Sequence, residues 1–134
     1  GFSAQSVFVV NASSISNTPG YTLRVHGTIG HNGSSNASDR RIKQNIEPIN
    51  GALDAVTKLQ GISYNWKDNP DLDFKSPTED KRLGFVAQDV EEVIPEVVTT
   101  SPDSIKAINS DGILPVLLEA IKELKAEVDA LKAG

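Results

Sequence analysis

The 134-residue sequence contains neither cysteine nor methionine. Without cysteine, the chain can form no disulfide framework and no thiolate metal site, which suits assembly in a reducing cytoplasm. Because the chain starts with glycine and has no methionine, we expect a fragment or processed piece of a longer protein. No apolar run approaches the roughly 18 residues of a membrane span, and no signal peptide is recognisable.

Acidic residues are absent from the first 37 positions. That segment carries one basic residue, Arg24, so all 18 acidic and the other 12 basic residues lie in 38–134. The net charge is therefore +1 before Ser38 and −6 from Ser38 onward, giving −5 for the chain. A negative net charge argues against nucleic acid or an anionic membrane as a partner. The change in composition predicts a boundary between two regions at Ser38.

The first region, residues 1–37, reads as β structure broken by polar turns. Val7 to Val10 is a short apolar run, and residues 21–26 alternate between apolar and polar side chains. Residues 30–37 form a polar connector in which a chain break is structurally tolerable. The segment has too little apolar surface to order alone. It therefore predicts β structure that other chains help to cover.

The second region, residues 38–134, predicts a small α+β domain with short strands. Helical spacing and turn signals place its elements in order: a helix from 49 or 50 to 59, a strand at 62–67, a loop at 68–80, a short strand and short helix within 82–95, a hairpin formed by 97–100 and 105–109, and a long helix at about 112–133. Ser110 or Asp111 is predicted to cap the long helix. Pro115 falls in its first turn, where proline is tolerated.

The long helix carries an apolar stripe in alternating steps of three and four, the a/d pattern of a coiled coil. Its members are Leu114, Leu117, Ile121, Leu124, Val128 and Leu131. Glu127 and Lys132 then occupy g and e positions, with the spacing of an interchain ion pair in a parallel assembly. The alternative is that the stripe packs on its own domain. The mixed a/d residues do not by themselves distinguish a trimer from a dimer.

Ser38 and Lys43 are the candidate catalytic residues. A serine hydroxyl becomes a nucleophile when a neighbouring base removes its proton, and a lysine is a base only in its neutral form, which burial or a nearby cation such as Arg40 or Arg41 favours. Residues five apart share no face of a helix or a strand. The pair therefore needs a turn between its members or a lysine from another chain. By spacing alone, a Ser-Asp cap before a solvated basic segment is the simpler interpretation.

Two longer motifs favour the catalytic interpretation. Residues 38–46 read Ser-Asp-x-Arg-x-Lys-x-Asn-Ile, and residues 84–95 read Gly-Phe-x-Ala-Gln-acid-Val-x-x-x-x-Pro. Together they resemble the intramolecular chaperone domain at the C-termini of phage tailspikes and tail fibres, the endosialidase C-terminal or S74 peptidase family. The resemblance implies cleavage of the Ala37–Ser38 bond, with Ser38 as nucleophile and Lys43 as base. It also implies a parallel trimeric coiled coil at the C-terminus.

The function implied by this resemblance is that of a self-cleaving chaperone. It would align three fibre chains, act on the upstream β-rich stalk segment as its folding client, and release itself after assembly in the bacterial cytoplasm. One alternative is an uncleaved trimerisation or receptor-binding tip, with the 68–80 loop as the contact surface. Another is a membrane-linked eukaryotic transcription factor that uses the same domain, against which the polar residues 1–37 argue.

No cofactor or metal is predicted. His26 and His31 lie five apart in a polar segment with no third ligand nearby in sequence. Glu91 and Glu92 are interpreted as a solvated helix face rather than an acid/base pair. The glycines at 27, 30 and 33 lack the spacing and helix context of a phosphate-binding loop.

Overall fold

The computed structural model describes residues 33, 35–69, 71, 79–102 and 104–134. Its helices and strands, in chain order, are α1 (Ala52–Thr57), β1 (Ile62–Tyr64), β2 (Arg82–Gly84), α2 (Ala87–Val93), β3 (Val98–Thr100), β4 (Lys106–Ile108) and α3 (Ile113–Ala133). Short 3-10 turns lie at Arg40–Ile42, Pro95–Val97 and Ser110–Gly112. The predicted mixture of short strands and a long C-terminal helix is confirmed. The predicted stalk residues lie almost wholly outside the described residues.

The strands form two separate antiparallel ladders. β1 pairs with β2, with Ile62 opposite Gly84, and β3 pairs with β4, with Val98 opposite Ile108. The predicted hairpin at 97–109 is thus confirmed, with slightly shorter strands. The predicted strand over 62–67 is too long, because the ladder ends at Tyr64. Trp66 packs edge-on against the Tyr64 ring instead, with ring centroids 5.1 Å apart.

Helix α1 begins later than predicted. Gly51 precedes it with φ +68°, a left-handed conformation that glycine adopts without strain and that cannot continue into an α-helix. Residues before Gly51 therefore lie outside the helix, and Ile49 is 40% exposed rather than part of the core. The remaining predicted positions, Leu53, Val56 and Leu59, do pack against the core.

The core is small and lies where α1, α2 and the beginning of α3 meet. Seven described residues are buried: Ala52, Val90, Ile94, Val97, Ile113, Val116 and Ala120. The short helix α2 ends before Pro95 as predicted, and the proline instead starts a 3-10 turn. This limited burial leaves much of the apolar surface of the domain uncovered.

Helix α3 has two apolar faces. One face packs on the domain through Ile113, Val116 and Ala120, which are 3%, 7% and 4% exposed. One turn further on, the Glu123 carboxylate accepts hydrogen bonds from the N–H groups of Ala52 and Leu53, at 3.2 and 2.7 Å. These are backbone groups of the first turn of α1 that have no partner within their own helix. Glu123 therefore fixes α1 against α3.

The other face of α3 is the predicted stripe, and it is exposed along its whole length. Its exposed fractions are 61% for Leu114, 37% for Leu117, 65% for Ile121, 49% for Leu124, 39% for Val128 and 81% for Leu131. Every α3 residue after Glu123 is exposed, so the C-terminal part of the helix extends beyond the rest of the described chain. The alternative in which the stripe packs on its own domain is wrong. Of the helices in the described ranges, none combines the length and apolarity that a membrane crossing needs.

The start of α3 differs from the prediction. Neither Ser110 nor Asp111 caps the helix; they form a 3-10 turn with Gly112 that runs straight into Ile113. Gly112 is required by close packing, because a Cβ at this position would lie 2.6 Å from Cγ1 of Val97. Pro115 stands in the first turn of α3, as predicted. The Ser110–Gly112 turn can therefore pack this closely against the core because residue 112 has no side chain.

Candidate catalytic site

A turn of 3-10 helix, Arg40–Ile42, separates Ser38 from Lys43. Asp39 caps it, because its Oδ1 atom accepts a hydrogen bond from the N–H of Arg41 at 2.9 Å. The N–H of Lys43 closes the turn on the carbonyl of Arg40 at 3.1 Å. The Ser-Asp cap anticipated from the sequence is thus present, and it supplies the turn that the candidate pair needs.

The turn brings the two candidate residues together within one chain. Lys43 Nζ donates a hydrogen bond to Ser38 Oγ at 2.6 Å. As an ammonium group lysine can only donate, whereas the neutral amine at the same position would accept the hydroxyl proton. The contact distance is therefore suited to proton transfer from Ser38 to Lys43. Both side chains are exposed in the single chain.

Asp39 and Arg41 form a bidentate ion pair in the turn between Ser38 and Lys43. Arg41 Nε donates to Oδ1 of Asp39 at 3.1 Å, and Arg41 Nη2 donates to Oδ2 at 2.9 Å. The hydrogen bonds from the Arg41 side chain and backbone lower the pKa of Asp39 below its ordinary value of 3.8. The same pairing raises the pKa of Arg41. Arg41, one of the two nearby cations that could favour a neutral Lys43, has its charge paired with Asp39.

The chain on the other side of the Ala37–Ser38 bond is also anchored. Asn36 Nδ2 donates to Oδ2 of Asp111 at 3.1 Å, a contact between residues 75 positions apart. Residues 35–50 are all exposed, so the candidate site and the segment that enters it lie on the surface. Asp111 belongs to the turn that leads into α3.

Glu91, interpreted from the sequence as part of a solvated helix face, is partly exposed and forms an ion pair. Lys106 Nζ lies 2.9 Å from Glu91 Oε2 and donates to Thr100 Oγ1 at 3.0 Å. The ion pair connects α2 to the β3–β4 hairpin and serves the fold. His26 and His31 lie outside the described residues, as does most of the 68–80 loop.

Sequence reasoning missed the polar side chains that act over long distances. Asn36, Asp111 and Glu123 each bind a group about 70 or more positions away, and no local motif marks them. The capping role of Asp39 could be predicted from the sequence, because a Ser-Asp pair is a recognised cap signal. Its ion pair with Arg41, two residues on, does not have the spacing of side chains that face each other on a helix.

Residues 38–99 match the family model described as chaperone of endosialidase, Peptidase S74. The long tail fibre proteins Gp37 of Enterobacteria phages K3 and T2 are each 35% identical to the chain over 100 residues. These matches cover 72% of this chain but only 8% and 7% of the relatives. Gp37 of Salmonella phage S16 is 31% identical over 99 residues, which are 72% of this chain and 13% of that protein. The chain therefore spans a small part of the length of these relatives.

The family match begins at Ser38, where the composition of the chain changes and where the contact with Lys43 is made. It includes both motifs on which the resemblance rests, the one at 38–46 and the one at 84–95. The match and the phage relatives confirm that resemblance. Over residues 38–99 this chain therefore matches the chaperone-of-endosialidase family, Peptidase S74.

Proposed function

We propose that this chain is the chaperone end of a phage tail-fibre protein that aligns three copies and then cuts itself between Ala37 and Ser38. The 2.6 Å contact between Lys43 Nζ and Ser38 Oγ, at the first residue of the family match, is the observation that carries the proposal. Residues 1–37 are then the end of the fibre stalk and its connector. Residues 38–134 are the chaperone domain that is released.

The cleavage needs only groups of the chain and one water. Neutral Lys43 takes the proton of Ser38, and Oγ attacks the carbonyl carbon of Ala37. A C–O bond forms as the Ala37–Ser38 C–N bond breaks, and the proton passes from Lys43 to the departing nitrogen. Water then hydrolyses the ester, leaving a carboxylate on Ala37 and a free amine and hydroxyl on Ser38. No cofactor takes part in either step.

Assembly is proposed to complete the site. A lysine is neutral, and therefore a base, when it is removed from water, whereas Lys43 and Ser38 are exposed in the single chain. Coverage by neighbouring chains would supply the missing burial. The same coupling prevents premature release, because a chain that cut itself before assembling would lose its chaperone first.

The apolar surfaces of the domain support assembly. The exposed a/d stripe of α3 has the pattern of a parallel coiled coil, and among the described residues Glu127 and Lys132 have no ion-pair partner. An open groove between the β1–β2 ladder and β4 is lined by Tyr64, Trp66, Leu83 and Val86, and Leu83 is 82% exposed. Three chains is the number implied by the family rather than by the stripe.

A removable trimerisation domain suits the folding of a fibre. Interleaved β structure depends on contacts between distant residues and between chains, which form slowly. Tethering three stalks at one end raises their effective concentration and sets their register. Cleavage afterwards removes the route back and leaves the fibre kinetically trapped. We place these steps in the cytoplasm of the bacterial host and the finished stalk in the virion.

Mixed assemblies test whether one chain supplies both catalytic residues. A Ser38→Ala chain with one affinity tag is co-expressed with a Lys43→Ala chain that carries another, and assemblies containing both tags are isolated. Because the 2.6 Å contact lies within one chain, we expect neither variant chain to be cut. Wild-type chains mixed with Ser38→Ala chains are the control, and only the wild-type chains should be cut. Recovered cleavage of the Lys43→Ala chain would instead assign the lysine to a neighbouring chain.

Removing the cap of the turn should slow cleavage without removing either catalytic group. Asp39→Ala deletes the acceptor of three hydrogen bonds from Arg41, so Lys43 is less often beside Ser38, and we expect severalfold slower cleavage in a gel time course. Asp39→Asn keeps the oxygen that accepts the capping hydrogen bond, so its cleavage rate should lie between those of Asp39→Ala and wild type. An Asp39→Ala chain cut at the wild-type rate would contradict this role.

The pH dependence of this turn follows from the lowered pKa of Asp39. When the pKa of an aspartate is lower in the folded state, the aspartate stabilises that state. This contribution is complete once the pH exceeds the ordinary aspartate pKa, near 4. The contribution is lost as the pH falls through the lowered folded-state pKa. The stabilising contribution of Asp39 to the turn is therefore fully present near neutral pH. Asp39 should not contribute to the pH profile of cleavage in that range.

A further inference from the structure

The contact between Asn36 and Asp111 joins the chain just upstream of the proposed cut to the folded domain. Asn36 stands two residues before Ser38, and its Nδ2 atom donates to Oδ2 of Asp111 at 3.1 Å. The turn after Ser38, capped by Asp39, anchors the chain on the downstream side. The Ala37–Ser38 bond therefore lies between two anchored points.

The upstream anchor is mounted on a rigid part of the domain. Asp111 lies in the Ser110–Gly112 turn, whose glycine packs too closely against Val97 to admit a side chain. Val97 is 6% exposed, and Ile113, directly after the turn, is 3% exposed. The backbone of the turn that carries Asp111 is thus fixed relative to the core, and so is the first residue of α3, whereas the Asp111 side chain is exposed.

We propose that Asp111 is a positioning residue for cleavage: through its hydrogen bond to Asn36 it aims the carbonyl of Ala37 at Ser38 Oγ. The inference rests on the proposed self-cleavage. Lys43 fixes the position of the hydroxyl, but the direction of the Ala37 carbonyl is set by the backbone that enters from Asn36. Small errors in the alignment of reacting atoms cost large factors in rate. The pair also makes asparagine, two residues before the cut, a specificity determinant.

The chemistry of the pair allows its two members to be exchanged. Asn36→Asp places two carboxylates within hydrogen-bonding distance, where like charges repel and the entering segment is displaced. Asp111→Asn leaves two amides, which still form a hydrogen bond without the charge. The double variant Asn36→Asp/Asp111→Asn rebuilds an amide–carboxylate pair with donor and acceptor reversed.

Cleavage time courses of the four proteins, followed by intact mass, test the inference. We expect Asn36→Asp to be cut about tenfold more slowly than wild type, Asp111→Asn to be slowed less, and the exchanged double variant to return to within about twofold of wild type. Rescue by exchange identifies direct contact, because a separate structural role of either residue would not produce it. Asp129→Asn, which removes a carboxylate in the C-terminal part of α3, is the control and should be cut at the wild-type rate.

The outcomes separate this inference from the function on which it rests. If wild type is cut at Ala37–Ser38 and the double variant is as slow as Asn36→Asp, the two residues do not act through each other and the inference is overturned. Equal rates in all four proteins would overturn it as well. A wild-type protein that assembles and is not cut would overturn the proposed function, and the inference with it.

Discussion

Replacing Ser38 by alanine should abolish cleavage of the Ala37–Ser38 bond and leave the domain folded and assembled. The hydroxyl is the attacking group, whereas its exposed side chain adds nothing to the core. Without a covalent intermediate, a self-cleaving protein loses its reaction rather than a fraction of its rate. A denaturing gel should show one full-length band, circular dichroism should show a folded protein, and light scattering should give the mass of an assembly of uncut chains.

A second serine provides the matched control for this experiment. Ser35 lies three positions upstream, is exposed like Ser38 and belongs to the same segment. Ser35→Ala should be cut as wild type, which would show that the effect belongs to one hydroxyl. A Ser38→Ala chain that is still cut between residues 37 and 38 would exclude Ser38 as the nucleophile.

The second large effect is expected from charges placed in the stripe of α3. Leu124 and Val128 are 49% and 39% exposed in the single chain, in the part of α3 that extends beyond the domain. Leu124→Asp or Val128→Asp should convert the assembled protein to monomers, because an unpaired carboxylate is not tolerated in a closed apolar seam. Light scattering at micromolar concentration measures the change.

Ala126→Asp is the matched control for the stripe variants. It lies in the same part of α3, introduces the same side chain and loses at least as much helix propensity as either stripe variant, yet it lies outside the stripe and should remain assembled. A wild-type protein that is monomeric at this concentration would contradict the assembly proposal. A stripe variant that stays folded, is monomeric and is cut at the wild-type rate would contradict the coupling of cleavage to assembly.

The parts of the fold that could be predicted are those marked by local sequence patterns, such as the spacing of apolar residues or the position of a proline. Helix α3 was expected at about 112–133 and is observed at Ile113–Ala133, because a stripe in steps of three and four continues over its length. Pro95 marked the end of α2 in the same way. The start of α1 was misplaced because Ile49 fits the helical spacing, while the left-handed conformation of Gly51 is not visible in a pattern of apolar residues.

The second apolar face of α3 could not be separated from the first. Ile113 and Val116 stand directly beside the stripe residues Leu114 and Leu117, and all four are apolar. Only the packing of α1 and α2 determines which face is buried within the chain. The sequence therefore indicated one seam where the folded helix has two faces, one for its own domain and one exposed.

The candidate residues were proposed from the sequence, but the long-range contacts around them were not. Ser38 and Lys43 followed from a motif, and their spacing required a turn, which is present at Arg40–Ile42. The Asn36–Asp111 contact spans 75 positions. Hydrogen bonds between exposed polar side chains that are so distant in sequence leave no periodic pattern. They can therefore be identified only in the folded structure.

Intact mass spectrometry of the wild-type protein after assembly tests the central claim most directly. We expect two species whose masses correspond to residues 1–37 and 38–134, the second starting with a free amine on Ser38. Both species should appear only as assemblies form. A single full-length mass in a protein that has assembled would contradict the account and would instead indicate a permanent, uncleaved fibre tip.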